Sequence, residues 1–586
     1  NKYLNEILTL LGSDKKRLPG MVFLFFLVSL LDVLGIGLIG PYISTITDPQ
    51  VITEYSSNIE KWIGLSVPSK DLLVYMSLLL LVVFVSKAIS SVWINYVIAR
   101  FSADQQIRLR TILMKSYQSL PYVEYIERNS SEYIHNIQTL VQQYANTVIF
   151  LSLKSVSDII VAFTILVLLA WVNLSALLLL FSLIVLTVLV YNHFFKEKMK
   201  TMGRLSNKSS DNMVQAIYEG IEGLKEVRVL GCERHFYNKV KKNSTLYGSY
   251  YAKSTAISTA PRYMLETTLM IFILMLVIVS LYVNNDLSQL LPTLGIFGIA
   301  SIRLLPAANN IASTMMHLQF NRDAISRLYR DVIECESRVD NVQGAGISTN
   351  NNNVGFEQLK LDGISYQYPS SNHKALSDIS LTIKSGETIG FIGTSGSGKT
   401  TLIDLLLGLL KPQQGMVIYN KKLLEDSYST WRKHVAYLPQ QIFLIDDTLK
   451  ANIALGVNDC DINEEKLNTS LRMAQLSELI EQLAEGVNTI IGERGIKLSG
   501  GQKQRISLAR AFYHERDVLV MDESTSALDE DTEREIVNEI QKLKGSKTLI
   551  IIAHRLSTLH HCDRIYRLEK GRIMDFGTAK KMLNLR

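Results

Sequence analysis

Six membrane-crossing α-helices followed by a soluble α/β domain is the fold class that three observations predict. First, 47% of the 586 residues are hydrophobic and the mean hydropathy is +0.14, high for a soluble chain. Second, those residues are segregated. Before about residue 320 they form long runs, and after about residue 355 short groups of strand or helix size, as in an ordinary globular domain. Third, "DNVQGAGISTNNNNVG" at 340–355 lies between the two regimes, rich in Asn and Gly and without an apolar period, as a linker is. A chain of this length holds more than one domain. The sequence divides into residues 1–335 as a membrane domain, 336–355 as a linker and 356–586 as the soluble domain.

The six apolar segments lie near 20–43, 72–99, 148–171, 174–195, 256–283 and 289–317, each long enough at a 1.5 Å rise per residue to cross the hydrocarbon. "DKKR" precedes the first, no small-residue cleavage site follows it, and it exceeds the core of a signal peptide, so it reads as a retained helix. The connections 100–147 and 196–255 are long and rich in Lys and Arg, whereas those at 172–173 and 284–288 are short and carry neither. The basic loops therefore face the cytoplasm, together with both termini. In the first outer loop, Ile52, Tyr55, Ile59, Trp62 and Ile63 recur at three- and four-residue spacing. That spacing predicts a short amphipathic helix, lying on the outer membrane surface or packed on the protein's own rim.

The net charge of +6 is spread along the cytosolic segments and not gathered into a basic tract, which argues for membrane topology and against nucleic acid as a partner. Cys232, Cys335, Cys460 and Cys562 lie far apart without metal-ligand spacing, as suits a reduced compartment.

After the linker, short apolar strands alternate with helices, predicting a mainly parallel sheet. "IGFIGTSGSGKTTLIDLLLGLL" is a strand, a G-x-x-x-x-G-K-T loop and a helix. In that context the backbone N–H groups of Gly393, Thr394, Ser395, Gly396, Ser397 and Gly398 are suited to cradle phosphates. Lys399 is the counter-charge, Thr400 a Mg²⁺ ligand, and Thr401 part of the same helix start. Downstream, "DVLVMDES" is a buried strand ending in two carboxylates. Asp522 suits the Mg²⁺ shell, and Glu523 suits the polarisation of an attacking water, as ATP hydrolysis requires.

Between these lies "KLSGGQKQR", and LSGGQ at 498–502 resembles the signature motif of ATP-binding cassette (ABC) proteins. The resemblance implies that Ser499, Gly500, Gly501 and Gln502 contact ATP bound to the opposite domain of a dimer. Tyr368 in "ISYQYP" resembles the aromatic residue that stacks on adenine, and Gln440 in "YLPQQIF" the Q-loop glutamine that joins Mg²⁺ to the membrane contact. Ser526 to Asp529 resembles the D-loop, and His554 in "IIIAHRLS" the switch histidine that meets the γ-phosphate. Six spans followed by one such domain is the half-transporter layout of ABC exporters. "NTIIGERG" and "EGLKEVRVLGCE" resemble the loop before the signature and the second cytoplasmic coupling segment of that class.

The family implies ATP and Mg²⁺ as cofactors, with Thr400, Gln440 and Asp522 at the metal. It implies a second copy as partner, because two ATP sites need two Walker loops and two signatures. No catalytic position is degenerate here, which favours a homodimer. ATP closes the two domains, loops near 120–130 and 222–240 pass the closure to the helices, and hydrolysis at Glu523 resets them. Soluble ABC ATPases of translation or DNA repair share the nucleotide motifs but lack six spans. ATP-gated channels of the family are typically longer, and protease-bearing peptide exporters carry an N-terminal Cys/His domain.

The charges inside the spans speak to substrate. Arg303 lies about 14 residues into the sixth segment, near mid-membrane by the helical rise. Arg262 lies in the inner half of the fifth and Arg100 at the inner end of the second. Three guanidiniums on three helices suit a stepwise path for an anion such as a phosphate. Structural alternatives stand beside that reading: snorkelling for Arg100, a pair with Glu266 one turn away for Arg262, and a long-range pair with Asp32 or Asp158 for Arg303. "VIARFS", "APRYMLE" and "IRLLPAANN" resemble segments of the lipid-linked oligosaccharide flippases of the PglK type. That resemblance implies a polyprenyl-diphosphate glycan moved from the inner to the outer leaflet of a bacterial plasma membrane, with membrane lipids and a lipid-linked anionic substrate as partners. A lipid A, multidrug or peptide exporter is the alternative.

Overall fold

A computed structural model describes residues 2–47, 69–283, 290–344, 355–492, 495–522, 537–538, 540–552 and 559–583. It divides into two units: Asn1–Leu120 with Arg128–Asp340, and Pro121–Glu127 with Asn341–Arg586.

The first unit is helical. An amphipathic helix Lys2–Leu10 buries Ile7 and Leu10, and the turn Gly12–Arg17 leads into Leu18–Thr47. Ser69–Gln118, Phe150–Val172, Leu174–Glu222, Glu233–Val283 and Leu290–Phe320 then carry the remaining expected spans. Among the described residues, five helices are long and apolar enough to cross a membrane; Leu290–Phe320 occupies the position of the sixth expected span. Asn173 makes the tightest connection. Its extended backbone ends one helix, and its side chain accepts a bond from Ala176 N at 3.0 Å to cap the next. The amphipathic pattern at 52–63 lies outside the described residues.

The basic connections expected as loops are instead helical. Ser69–Gln118, Leu174–Glu222 and Glu233–Val283 are 50, 49 and 51 residues long, or about 75 Å at the helical rise, more than twice the hydrocarbon thickness. The polar halves stay helical because they carry a narrow packing seam. On Leu174–Glu222, Met199, Met202, Ser206 and Ser209 are buried at three- and four-residue spacing. Gly203 sits on that seam, where a Cβ would lie 1.8 Å from the backbone oxygen of Phe320, so only glycine permits the approach. Buried polar groups then fix the register. Asp331 accepts from Tyr117 Oη at 2.6 Å and from Asn136 Nδ2 at 2.8 Å, and Arg327 Nη1 donates to Asp211 at 2.8 Å. A helix Arg322–Gly344 closes the unit, so the first part of the expected linker, 336–344, is helical as well.

The second unit contains two sheets. The strands are β1 (Gln358–Tyr366), β2 (Leu376–Lys384), β3 (Thr388–Ile392), β4 (Gln414–Tyr419), β5 (Lys422–Leu423), β6 (Val435–Leu438), β7 (Val518–Asp522), β8 (Thr548–Ile552), β9 (Arg564–Glu569) and β10 (Arg572–Gly577). The larger sheet has the order β10-β9-β3-β8-β7-β6 and is parallel except for the β10–β9 pair, as the alternation of strands and helices predicts. An antiparallel sheet, β2-β1-β4-β5, is an addition the sequence pattern did not reveal. The buried helix Lys399–Leu406 follows β3, and the helix Gly500–Tyr513 buries Ile506, Leu508 and Ala509 in a separate core cluster. Tyr122 and Val123, from the short segment Pro121–Glu127, pack on the cluster that holds Phe391, Leu402 and Val520.

Candidate functional site: a phosphate-binding loop and a membrane cavity

The parallel order brings three chain ends together at the carboxyl edge of the large sheet. β3 ends in the Gly393–Thr400 loop, Asp522 closes β7, and Asp522 pairs in register with Ile552 at the end of β8. Ligands of open α/β sheets bind at such an edge. Gly396 and Gly398 hold φ of 76° and 101°, and a Cβ on Gly398 would lie 2.7 Å from the backbone oxygen of Ala375. The loop therefore depends on glycine at these turns. Lys399 is buried, and its Nζ donates to the carbonyls of Gly393 and Thr394 at 2.8 and 2.9 Å. Ser397 Oγ is buried without a hydrogen-bond partner, whereas Thr394, Ser395, Gly396 and Thr400 are exposed. Exposed loop residues at 394–396, an orphaned hydroxyl beneath them and a lysine folded onto the loop suit a polyphosphate.

Tyr368 stands beside this loop, its hydroxyl 3.4 Å from Thr401 Oγ1. Asp522 is buried, and Tyr437 Oη donates to its Oδ2 at 3.5 Å. Gln440 is exposed just beyond β6. Glu523, His554 and the segment Ser526–Asp529 lie outside the described residues. Ser499 and Gln502 form a reciprocal cap on the helix Gly500–Tyr513. Ser499 Oγ accepts from Gln502 N at 3.2 Å, and Gln502 Oε1 accepts from Ser499 N at 2.9 Å. Among the described residues, no hydrogen bond joins Ser499, Gly500, Gly501 or Gln502 to the phosphate loop. The signature thus has a local structural role besides any contact it makes across a dimer.

Asp404 was missed on the sequence. It is buried one turn past Thr400, and burial, reinforced by the negative charge of Asp522, pushes its carboxyl up to about 6. Its signal was a lone acid inside the apolar run "LIDLLLGLL". Tyr122 belongs to the same neighbourhood: burial, then Asp404 and Tyr368, raise its phenol above the usual range. The expected coupling segment near 120–130 therefore has a tyrosine beside the nucleotide-side residues of its own unit.

In the helical unit, Arg262 Nε donates to Glu266 Oε1 at 3.0 Å. Both line a cavity of about 500 Å³ with Ser301, Ile302, Asn309 and Asn310. The pairing left open on the sequence is formed, and Arg262 still faces open space. Arg100 Nε lies 3.3 Å from Asp104 Oδ1, whose other oxygen is 3.7 Å from Arg17. Arg303 is exposed on Leu290–Phe320 and is not among the residues lining this cavity. Asp158, offered above as a partner for Arg303, accepts from Asn310 Nδ2 at 3.0 Å.

A phosphate loop at a sheet edge, joined in one chain to membrane-length helices, defines an ATP-driven membrane transporter. The comparisons agree with that class. The family model described as "ABC transporter transmembrane region" matches residues 20–305, and that described as "ABC transporter" matches residues 376–526. ATP-dependent lipid A-core flippase 2 of Colwellia psychrerythraea is 30% identical over 532 residues, 89% of this chain and 88% of that protein. The ATP-dependent lipid A-core flippase of Thiobacillus denitrificans is 26% identical over 553 residues, 94% and 93% of the two chains. A solved structure titled as a bacterial Atm1-family ABC exporter with ATP bound superposes with a TM-score of 0.75 at 18% identity, covering 97% of each chain. The chain belongs to the ABC transporter family, with the half-transporter layout of an exporter, and couples ATP hydrolysis to transport. The relatives' names point to lipid A-core and not specifically to the PglK-type group.

ATP with Mg²⁺ supplies the scissile phosphate bond and the metal charge that offsets negative charge developing on it. The loop amides from Gly393 to Gly398 and Lys399 would hold the phosphates, while Thr400, Gln440 and Asp522 would hold the metal.

Proposed function

We propose that two copies of this chain form a flippase that moves a phosphate-bearing lipid from the inner to the outer leaflet of a bacterial plasma membrane, with termini and ATPase domains in the cytoplasm. The observation that carries the substrate class is the cavity holding Arg262. Its Nε is engaged by Glu266, and among the described residues its two Nη groups make no hydrogen bond, leaving a planar donor fork for a phosphate. A guanidinium at membrane depth needs water or an anion.

Lipid A-core is the favoured substrate, because relatives matching along nearly the whole chain bear that name. A polyprenyl-diphosphate oligosaccharide is the second reading, favoured by the segments around Arg100, Arg262 and Arg303. Pairing of two copies is supported by the signature: among the described residues no hydrogen bond joins Ser499, Gly500, Gly501 or Gln502 to the phosphate loop of their own chain. In this reading Glu523 is the catalytic base, His554 meets the γ-phosphate, and Arg303 adds a station for the anion.

The test is leaflet-resolved flipping in proteoliposomes, with lipid A-core, a polyprenyl-diphosphate disaccharide, a cationic dye and a peptide compared. ATP-dependent flipping of a phosphate-bearing lipid is expected. Transport of the dye or peptide alone would replace this reading with the multidrug or peptide one.

A further inference from the structure

Pro261 lies inside the helix Glu233–Val283, in the stretch "STAISTAPR" and one residue before Arg262. Proline has no N–H, so the carbonyl of Ile257, one turn earlier, loses its partner in the helix ladder. In hydrocarbon such a group has no water to turn to. The hydroxyls nearest in the chain are spent elsewhere. Ser254 donates to the carbonyl of Tyr251 at 2.8 Å, Ser258 to that of Thr255 at 3.1 Å, and Thr259 to those of Thr255 and Ala256 at 3.0 and 3.2 Å. The donor for Ile257 comes from another helix: the hydroxyl of Tyr191, on Leu174–Glu222, donates to its oxygen.

That tyrosine is held by its surroundings. It is 3% exposed, its ring centroid lies 4.9 Å from that of Phe195, and it shares a core cluster with Ile257, Met199, Met202 and Met316. Phenylalanine would fill nearly the same space, so the hydroxyl is what tyrosine adds, and a buried phenol needs a partner. Here the partner is the carbonyl that Pro261 orphans. Helices bend at proline, where the ladder is open, and a donor on a fixed neighbour closes it again. Ile257, Pro261 and Leu265 are buried, whereas Arg262 is exposed and lines the cavity with Glu266. The first side chain beyond the break is thus the guanidinium that faces open space.

We propose that Tyr191 is a positioning residue for transport: its hydroxyl stands in for the N–H that Pro261 lacks and so fixes the helix where Arg262 meets the cavity. This deepens the flippase reading, in which Arg262 takes the substrate's phosphate, and rests on it. Proline lets the helix bend at this point, and Tyr191 sets the bend.

The experiment uses the full-length protein in proteoliposomes and reads the lipid concentration giving half-maximal ATPase stimulation, with lipid A-core and a polyprenyl-diphosphate disaccharide as probes. Tyr191→Phe removes only the hydroxyl and should raise the half-stimulating concentration of a stimulating lipid roughly three- to tenfold, the value of one hydrogen bond. Pro261→Ala restores the missing N–H, so in that background Tyr191→Phe should give no further rise. In Arg262→Leu it should likewise add nothing, because the tyrosine acts through the arginine. A tyrosine needed only for packing or stability would give the same change in every background. A rise that persists in either background, or no rise in the first place, overturns the proposal. If Tyr191→Phe does not fold, its combination with Pro261→Ala decides. A folded protein with the half-stimulating concentration of Pro261→Ala alone upholds the pairing, and an unfolded one overturns it. If the wild type responds to neither lipid, the flippase reading itself fails and the positioning role with it.

Discussion

Lys399 and Arg262 are cations in the two halves of the molecule, and they are held in opposite ways. Lys399 is fixed by main chain: its Nζ donates to two loop carbonyls, and glycines with positive φ shape the loop around it. Arg262 is fixed by side chain: one nitrogen meets Glu266, a turn along the same helix, and a neighbouring helix face completes its cavity. A site written in backbone conformation tolerates few sequences and leaves a motif. A site written in helix faces tolerates many and leaves no motif.

That contrast breaks if the nucleotide side proves as tolerant as the membrane side. Replacing Glu523 with Gln should lower steady-state hydrolysis by about a hundredfold or more while ATP still binds, because loss of the water-polarising group leaves the phosphate cradle intact. Turnover together with trapping of an ATP-bound closed dimer measures it, and near-normal turnover would remove Glu523 from catalysis. Gly398→Ala tests the backbone directly. With φ at 101° and a carbonyl 2.7 Å from the new Cβ, strain of about 1–3 kcal/mol should appear as weaker nucleotide binding and a lower Tm of the ATPase unit. An alanine variant with unchanged ATP affinity would show that the loop does not depend on glycine there.

On the membrane side, Arg262→Leu should reduce flipping of a phosphate-bearing lipid about tenfold, with Lys restoring only part because it lacks the planar fork. Arg303→Leu should fall in the same direction if both lie on one path. Full recovery of transport by Lys at 262 would mean that only charge matters. The smallest effect is expected at Arg100. Its pair with Asp104 is exposed, and such pairs contribute about 0–1 kcal/mol, so Arg100→Leu should leave Tm and flipping nearly unchanged. A loss as large as that at Arg262 would make Arg100 a station on the anion path and narrow the difference between the two halves.

The order of domains, five membrane-length helices and the phosphate loop were legible in the amino acids, because each rests on local rules. Hydrocarbon demands an uninterrupted apolar run, and a strand-to-helix turn around phosphate demands glycine at set places. What tertiary structure decided depends on partners distant in the chain. The basic stretches 100–147 and 196–255 became helix because seams such as Met199 to Ser209 found neighbours, and because Tyr117 and Asn136 met Asp331 across 214 and 195 residues. Asp404 became a perturbed acid because folding buried it and, secondarily, brought Asp522 beside its helix. The pairing of Arg262 with Glu266 was foreseeable from their spacing. That Asn309 and Asn310 would line the same cavity as this pair followed only from the way two helices pack.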